Sequence, residues 1–444
     1  AEGIYRTIMN YRTQIPSAAA PTDLALRWRI EGSDGLIDEV TTGINEDLVT
    51  TLDAIDGNYA INVAVVGIGQ EAESPRSGAA VALFNPTNTP TPLPTSTPTP
   101  RPTRTPTPAP IVTAQPQPSG GGQPAAAPAA GSIAGGGFEY GGHVTSADSG
   151  RAIGAMQRAG MNWMKVQVRY YPGSGPEMAI GKINAARSNG FKILIGTVGN
   201  PNDLAGGGEA YIQGYAGWLG QIAAAGADAI EVWNEPNIDR EWPTGQISGE
   251  AYANMLRQAY QAIKASNGST MVISGAPAPT GAEAAYPGQV KNDDNFLREM
   301  VSAGGRNYLD CVGAHYNEGS VGPSQMSGDP RDSYYTRYFN GMVNTYWNIT
   351  GGQKPLCFTE LGYLTSEGFP PLPNYFAWAQ NVTLGQQAAW LAEAAALASQ
   401  SGRVRLMIVW NVDFTSYGAD PQGGYAMIRP DGSCPACDTM AAAR

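Results

Sequence analysis

Short apolar runs alternate with helical patterns over the last 310 residues or so, and this alternation restricts the fold more than any other feature. Eight runs have the composition of buried strands: residues 138–143, 163–169, 191–198, 228–234, 271–276, 310–316, 355–361 and 405–411. One intervening segment shows the spacing of a single helix face, with apolar residues at Tyr252, Met255, Leu256, Ala259 and Ile263. Near-continuous hydrophobic strands joined by helices predict a parallel sheet. Eight such units in roughly 300 residues predict a (β/α)8 barrel. A doubly wound open sheet is the alternative, but no Gly-x-Gly-x-x-Gly turn follows the first strand.

A Thr- and Pro-rich run divides the chain into two parts of different composition. Residues 86–110 contain ten Pro and nine Thr, and a Gly/Ala/Pro stretch follows them. Such a run cannot form a core, so we expect an extended polyproline II spacer. Its Thr density also predicts O-glycosylation. The predicted domains are therefore a β module at 1–85, a linker at 86–131 and the barrel domain at 132–444.

The first module has the alternation of an antiparallel β structure. Residues 23–30 and 58–66 alternate polar and apolar side chains, with Gly, Asp and Asn turns between them. Together with the run at 79–83, they resemble the last strands of a fibronectin type III domain, over residues 23–84 only. One or two N-terminal strands are short or missing, so either the module is incomplete or residues 1–16 supply an unusual edge. An open sheet edge favours pairing with another chain. A homo-polymer formed through this module and the linker is therefore an open possibility.

Net charge restricts the choice of partners. The chain has 38 acidic and 27 basic residues and a net charge of −11. This balance argues against a nucleic-acid partner, which would require a basic stripe. No apolar run reaches the roughly 18 residues of a membrane span. No signal peptide is visible at Ala1, so the N-terminus is expected to be either processed or the start of a fragment.

The four cysteines favour disulfides over a metal site. Cys434 and Cys437 lie close together in a Gly- and Pro-rich tail, whereas Cys311 and Cys357 lie inside strand-like runs. A zinc half-site would need a second close pair, and a thioredoxin-type pair would open a helix after a strand. A Cys434–Cys437 disulfide fits an oxidising compartment, and with the linker it predicts a secreted or cell-surface protein. Cys311 and Cys357 are either a second disulfide or two buried thiols. No metal or cofactor motif is present.

Two glutamates stand at the ends of two predicted strands. Glu235 follows Trp233 and Asn234 at the end of strand four, and Glu360 ends strand seven. In a (β/α)8 barrel the carboxyl ends of the strands form the active-site face. A pair of carboxyl groups about 5–5.5 Å apart is the arrangement that a retaining glycosidase requires.

The Asn-Glu-Pro triplet at residues 234–236 and the Thr-Glu pair at 359–360 resemble those of the clan of (β/α)8 retaining glycoside hydrolases. That clan includes cellulase, mannanase and β-xylosidase families, and the resemblance covers about residues 138–430. It implies that Glu235 is the general acid/base and Glu360 the nucleophile. It also implies that Asn234 binds the sugar 2-hydroxyl, a contact that tightens in the transition state.

Other candidate substrate-binding residues lie on strands one, six and eight and in one loop. The clan often has His-x-Tyr on strand six, whereas this chain has adjacent His315 and Tyr316, of which only one can face the nucleophile. Trp410 matches the strand-eight tryptophan that forms a sugar platform, and Trp242 is a candidate second platform in a loop. His143, on strand one, is either a cleft residue or a structural histidine.

The sequence therefore predicts a secreted retaining glycoside hydrolase that cleaves a β-linked polysaccharide or oligosaccharide by double displacement. The alternative is an extracellular structural or filament subunit whose barrel binds glycan or is inert. Because neither glutamate has been lost, the enzyme is the favoured interpretation.

Overall fold

The computed structural model describes residues 137–444 throughout, and the backbone of four strands between residues 24 and 83. The chain separates into two compact units, residues 1–119 and 120–444. The predicted linker at 86–131 lies outside the described residues, so its extended form, its glycosylation and the domain boundaries stay predictions.

The first unit contains a four-stranded antiparallel sheet. Its strands are β1 (Leu24–Gly32), β2 (Gly35–Gly43), β3 (Gly57–Gly67) and β4 (Ser77–Leu83), in the order β2-β1-β3-β4. Three of them lie at the predicted runs, and β2 is an additional strand that pairs with β1. The fibronectin type III resemblance and the polymer remain predictions.

The second unit is a barrel of eight parallel strands, which confirms the predicted fold. In chain order, barrel strands one to eight are β5 (Glu139–His143), β6 (Trp163–Arg169), β7 (Lys192–Val198), β8 (Ala229–Val232), β9 (Met271–Ser274), β10 (Val312–Tyr316), β11 (Leu356–Leu361) and β12 (Val404–Val409). Their order in the sheet is β10-β11-β12-β5-β6-β7-β8-β9. A parallel bridge between Ile273 and Cys311 joins the two ends of this sheet.

Helices follow the strands around the outside of the barrel. They are α1 (Gly150–Arg158), α2 (Glu177–Ser188), α3 (Pro201–Ala224), α4 (Gly249–Ser266), α5 (Asp293–Ser302), α6 (Phe339–Ile349), α7 (Leu384–Ser401) and α8 (Pro435–Ala442). Polar side chains cap several N-termini, for example Ser248 on α4 and Thr383 on α7. The five apolar residues predicted to share a face of α4 are all buried. None of the helices within the described residues is long and apolar enough to cross a bilayer.

The side chains inside the barrel change from apolar to polar along the strands. Its lower layer is apolar and contains Trp163, Leu194, Ala229, Ile273, Cys311, Cys357, Leu406 and Ile408. Side chains two residues further along a strand point the same way, and at those positions Lys165 and Glu231 form an ion pair. A polar layer therefore lies between the apolar layer and the carboxyl ends of the strands.

Both cysteine pairs are disulfides. Cys311 and Cys357 join β10 and β11, and Cys434 and Cys437 are joined across the start of α8. The second pair lies at the start of a helix, whereas the sequence predicted a turn-rich tail. A long loop rather than a strand precedes this helix, so the pair does not have the strand-then-helix setting of a thioredoxin-type motif.

Candidate active site

Glu235 lies on a strained turn immediately after β8. Trp233 and Glu235 have φ angles of 73° and 40°, in the left-handed region that non-glycine residues seldom adopt. Such a conformation costs roughly 1–3 kcal/mol per residue and persists where the surroundings enforce it. Here the buried Trp233 indole donates to the Glu241 carbonyl oxygen at 2.7 Å, and the Glu235 amide donates to the Ala276 carbonyl oxygen at 3.0 Å. The turn thus fixes the direction of the Glu235 carboxyl group.

Glu360 lies on β11 and is almost fully buried. Its Oε1 accepts a hydrogen bond from Lys165 Nζ at 3.4 Å, and the same ammonium group donates to the Thr359 carbonyl oxygen at 3.2 Å. One lysine therefore holds both the backbone and the side chain at this end of β11.

His315 joins the two glutamates. Its Nδ1 lies 3.1 Å from Glu235 Oε1 and 3.7 Å from Glu360 Oε2. These two oxygens can therefore be no further apart than the sum of those distances, about 6.8 Å, and are closer if the three atoms are not collinear. Inverting glycosidases hold their carboxyl groups about 6.5–9.5 Å apart and retaining ones about 5–5.5 Å apart. This upper limit includes the retaining spacing and excludes most of the inverting range.

Tyr316 points the other way, as the alternation along a strand requires. It is fully buried, its hydroxyl donates to the Arg337 carbonyl oxygen at 3.1 Å, and its ring packs against Phe339 and Tyr363. Of the two strand-six candidates, His315 faces the carboxyl pair, and Tyr316 as a substrate-binding residue is a wrong prediction.

A buried charged layer supports Glu360 from below, and sequence reasoning missed it. Lys165 Nζ lies 2.9 Å from Glu231 Oε2, and Glu231 Oε1 accepts from Thr359 Oγ1 at 2.6 Å. Both charged side chains are fully buried, a situation that is costly unless the charges are paired. A signal was present, because Glu231 is the one charged residue of β8 and Lys165 lies between the apolar residues Met164 and Val166 of β6.

The two catalytic candidates differ in their electrostatic surroundings. Burial disfavours ionisation of Glu235, but the His315 hydrogen bond and the positive charge of Arg240 outweigh it, so the pKa of this carboxyl lies below its ordinary value. Burial raises the pKa of Glu360 above its ordinary value, although His315 and Lys165 oppose the increase. Arg240 Nη2 lies 2.5 Å from Glu235 Oε2, and its side chain is 65% exposed. The free protein therefore favours an ionised Glu235, the reverse of what a general acid requires.

The two carboxyl groups open into a polar cavity of about 570 Å³. Its lining includes Asn234 and Trp410, as predicted, together with Gln167 from β6. The Asn234 side chain is buried, and its Oδ1 accepts no hydrogen bond from any described residue. An unpaired amide oxygen beside Glu235 suits a hydroxyl donor, and the Trp410 ring supplies an apolar face.

Trp242 and His143 lie away from the cavity surface. Trp242 is 3% exposed and packs edge-on against Trp233 and Tyr252. The prediction that it forms a second sugar platform is wrong, because the turn after Glu235 folds this indole into the core. His143 is also buried, with its ring against Trp410 and its Nδ1 3.9 Å from Glu360 Oε1. Burial, with Lys165 and His315 nearby, holds the pKa of His143 well below its ordinary value, so it is a neutral support beneath the site.

Further aromatic residues line the cavity from two loops that sequence reasoning did not use. Tyr375, Phe376 and Trp378 lie on a short 3-10 helix between β11 and α7, and Tyr425 lies beyond β12. The Tyr425 hydroxyl donates to the Asn317 carbonyl oxygen at 2.7 Å. Tyr375 is 91% exposed. Apolar residues in loops are not spaced with the period of a helix or a strand. The loop sequences therefore gave no indication that these aromatic rings lie at the same cavity.

No known family's sequence profile matches the chain, and no curated protein matches it either. Solved structures do resemble it. A family 39 glycoside hydrolase from the gut symbiont Bacteroides cellulosilyticus has a TM-score of 0.50 at 16% identity, over 96% of this chain and 78% of that one. The endo-1,4-beta-mannanase from Rhizomucor miehei has a TM-score of 0.43 at 11% identity, over 69% of this chain and 94% of that one. At these identities the likeness shows the fold alone, and the chain is a (β/α)8-barrel protein.

Proposed function

We propose that this chain is a retaining glycoside hydrolase that acts on β-linked polysaccharides or oligosaccharides. The observation that carries the proposal is the meeting of Glu235 and Glu360 on one histidine nitrogen, at the carboxyl ends of the strands. A cavity with an aromatic wall and an unpaired Asn234 oxygen opens directly above them. The structural likeness to the family 39 enzyme supports the same class by analogy of fold.

In the first step, a Glu360 oxygen attacks the anomeric carbon while the glycosidic C–O bond breaks. Glu235 donates its proton to the departing oxygen, which leaves as an alcohol. In the second step, Glu235 takes a proton from water, the resulting hydroxide bonds to the anomeric carbon, and the Glu360 ester bond breaks. Lys165 and His315 stabilise the Glu360 carboxylate before attack and after release.

Arg240 determines when Glu235 can act as an acid. Its guanidinium contacts Oε2, the carboxyl oxygen that His315 leaves free for a glycosidic oxygen, and its side chain is mostly exposed. A sugar that enters displaces this contact, and loss of the nearby positive charge raises the pKa of Glu235. Substrate binding thus converts the ionised carboxylate of the free protein into the protonated acid.

The same contact favours a second candidate function, a barrel that binds glycan without cleaving it. If Arg240 stays on Glu235 when sugar is bound, the acid is lost. This barrel would then serve an extracellular structural or filament subunit, assembled through the N-terminal module. A location outside the cytoplasm belongs to both proposals and is supported by the two disulfides.

Hydrolysis by the full chain tests these alternatives. A panel of 4-nitrophenyl β-glycosides and soluble β-glucans is assayed with the wild type, Glu235→Gln, Glu360→Gln and the exposed control Glu250→Gln. We expect cleavage, a loss of about 100-fold or more for the two site variants, and wild-type rates for the control. Proton NMR should show the β anomer as the first product. An α anomer formed first contradicts retention, and binding of glucans without cleavage establishes the second candidate.

A further inference from the structure

A second cavity of about 750 Å³ adjoins the catalytic one. It lies between the loops that follow β9 and β10, and its lining residues are Thr280, Gly281, Ala282, Glu318, Asp332, Ser333, Tyr334, Tyr335 and Arg337. Glu318 lines both cavities, so they share a wall. Each has the size of an ordinary ligand site, about 300–1,000 Å³.

Buried hydrogen bonds fix the floor of the second cavity. The Tyr335 hydroxyl donates to Asp293 Oδ2 at 2.6 Å, and the buried Tyr346 hydroxyl donates to the same oxygen at 2.9 Å. Burial raises the pKa of Asp293 to about 6. Tyr335 is therefore held in one position by a carboxyl group that has no contact with the catalytic pair among the described residues.

Tyr334 lies against this fixed floor with part of its ring free. Its ring centroid is 4.7 Å from that of Tyr335, and its hydroxyl makes a long contact of 3.5 Å with the Thr280 carbonyl oxygen. A Cβ atom at Gly281 would come within 3.3 Å of the Tyr334 ring, so the absence of a side chain there keeps the ring accessible. An aromatic ring on a rigid support can stack on the C–H face of a pyranose.

The charges of the two cavities favour an uncharged ligand. In the catalytic cavity five carboxyl groups, Glu235, Glu241, Glu318, Glu360 and Asp420, accompany one cation, Arg240. In the second cavity Arg337 is already paired with Glu318 and Asp332. In the free protein every cation that lines either cavity is already paired with a carboxylate, so an anionic glycan such as a polyuronide would meet an excess of negative charge.

The position of the cavity relative to the reaction indicates which part of the glycan it meets. Trp410 follows barrel strand eight, and Glu235, which would protonate the departing oxygen, follows strand four on the opposite side of the barrel. Strands five and six come next after strand four around the barrel. The leaving group therefore emerges towards the loops that form the second cavity.

We propose that this second cavity binds the leaving-group side of a neutral glycan chain, with Tyr334 as the stacking residue. The proposal rests on the proposed function and deepens it, because the substrate then extends beyond the bond that is cut. The protein consequently acts on oligosaccharides or polysaccharides in preference to glycosides with small leaving groups.

Kinetics on two substrates test the cavity. The full chain, Tyr334→Ala, Tyr334→Phe and the control Tyr171→Ala are assayed on the best 4-nitrophenyl glycoside and on the tetrasaccharide of the same sugar and linkage. Tyr171 is about half exposed and lines neither cavity. We expect Tyr334→Ala to lower kcat/KM about tenfold on the tetrasaccharide and to leave the aryl glycoside unchanged. Tyr334→Phe and Tyr171→Ala should match the wild type on both. An equal loss on both substrates, or none on the tetrasaccharide, overturns the proposal.

A binding measurement separates failure of the cavity from failure of the hydrolase. Calorimetry with Glu360→Gln, with and without Tyr334→Ala, measures affinity for the neutral tetrasaccharide and for a uronic acid tetramer. Weaker binding of the neutral chain in the Tyr334→Ala background supports the cavity even if the wild type cleaves nothing. Identical affinities overturn it even if hydrolysis is intact. Tighter binding of the uronic acid tetramer contradicts the choice of a neutral glycan.

Discussion

The barrel interior has two layers with different roles: the lower, apolar layer and the polar layer above it, which is called the upper layer from here on. In the lower layer Trp163, Leu194 and Ala229 pack as an ordinary apolar core, closed by the Cys311–Cys357 disulfide. Two residues further along the same strands, Lys165 and Glu231 replace apolar contact with a buried ion pair that reaches Glu360. Buried ion pairs add little stability compared with apolar packing. The comparison indicates that the lower layer maintains the fold and the upper layer maintains the geometry of the site.

Replacing Lys165 should have the largest effect. Lys165→Met leaves Glu231 and Glu360 buried without their cation, so we expect a loss of roughly 3–5 kcal/mol in unfolding free energy. Activity should fall about 100-fold or more, because Glu360 loses its position. Chemical denaturation and steady-state kinetics measure the two effects. The double variant Lys165→Met/Glu231→Gln removes both charges and should recover much of the stability but not the activity. Recovery of both would show that the pair is only structural.

Truncation in the lower layer should separate stability from chemistry. Leu194 is fully buried, so Leu194→Ala is expected to lower the unfolding free energy by roughly 2–5 kcal/mol. Because Leu194 lies in the apolar lower layer and not among the residues that line the catalytic cavity, kcat measured well below the melting temperature should stay within about twofold of the wild type. A loss of kcat as large as that of Lys165→Met would mean that the two layers are not separate.

Removing Arg240 should change the pH profile rather than the fold. Arg240 lowers the pKa of Glu235, and Glu235 must be protonated to act as the acid. Because the pKa of Glu235 lies below that of Glu360, the acidic limb of kcat/KM follows Glu235 in the free protein. In Arg240→Met the pKa of Glu235 rises, so this acidic limb should move to higher pH. Arg298→Met, an exposed arginine on α5, serves as the control. A shift to lower pH, or an equal shift in the control, would contradict the role given to Arg240.

The smallest effect is expected at the rim. Tyr375 is 91% exposed and contributes little buried area to the fold. Tyr375→Ala should leave thermal stability unchanged and lower kcat/KM on a soluble glucan by roughly threefold, since it removes an aromatic contact with the chain. The aryl glycoside should be cleaved at the wild-type rate. A drop in melting temperature would show that Tyr375 belongs to the core after all.

How far the sequence predicted this site depends on where each residue lies. The eight apolar runs predicted the barrel, and strand register alone placed Glu235, Glu360, His315 and Trp410 at one rim, because parallel strands end together. Lys165 and Glu231 were missed. A charged residue within an apolar run does not reveal its function until the residue it pairs with in the fold is known.

Loop residues were beyond such reasoning for a different reason. Tyr425 is held at the cavity by its hydrogen bond to the Asn317 carbonyl oxygen, and Tyr375 is carried there by a short 3-10 helix. Neither position follows from a sequence period. Trp242 was misplaced because its burial depends on the unusual backbone at Trp233, which the sequence does not reveal.

The most direct test of the central claim is to trap the glycosyl ester on Glu360. The full chain is incubated with a 2-deoxy-2-fluoro-β-glycosyl fluoride of the preferred sugar, digested and examined by tandem mass spectrometry. The retaining mechanism predicts one added fluoroglycosyl group on the peptide that contains Glu360, together with loss of activity. A label on Glu235, or an active protein that is never labelled, would contradict it.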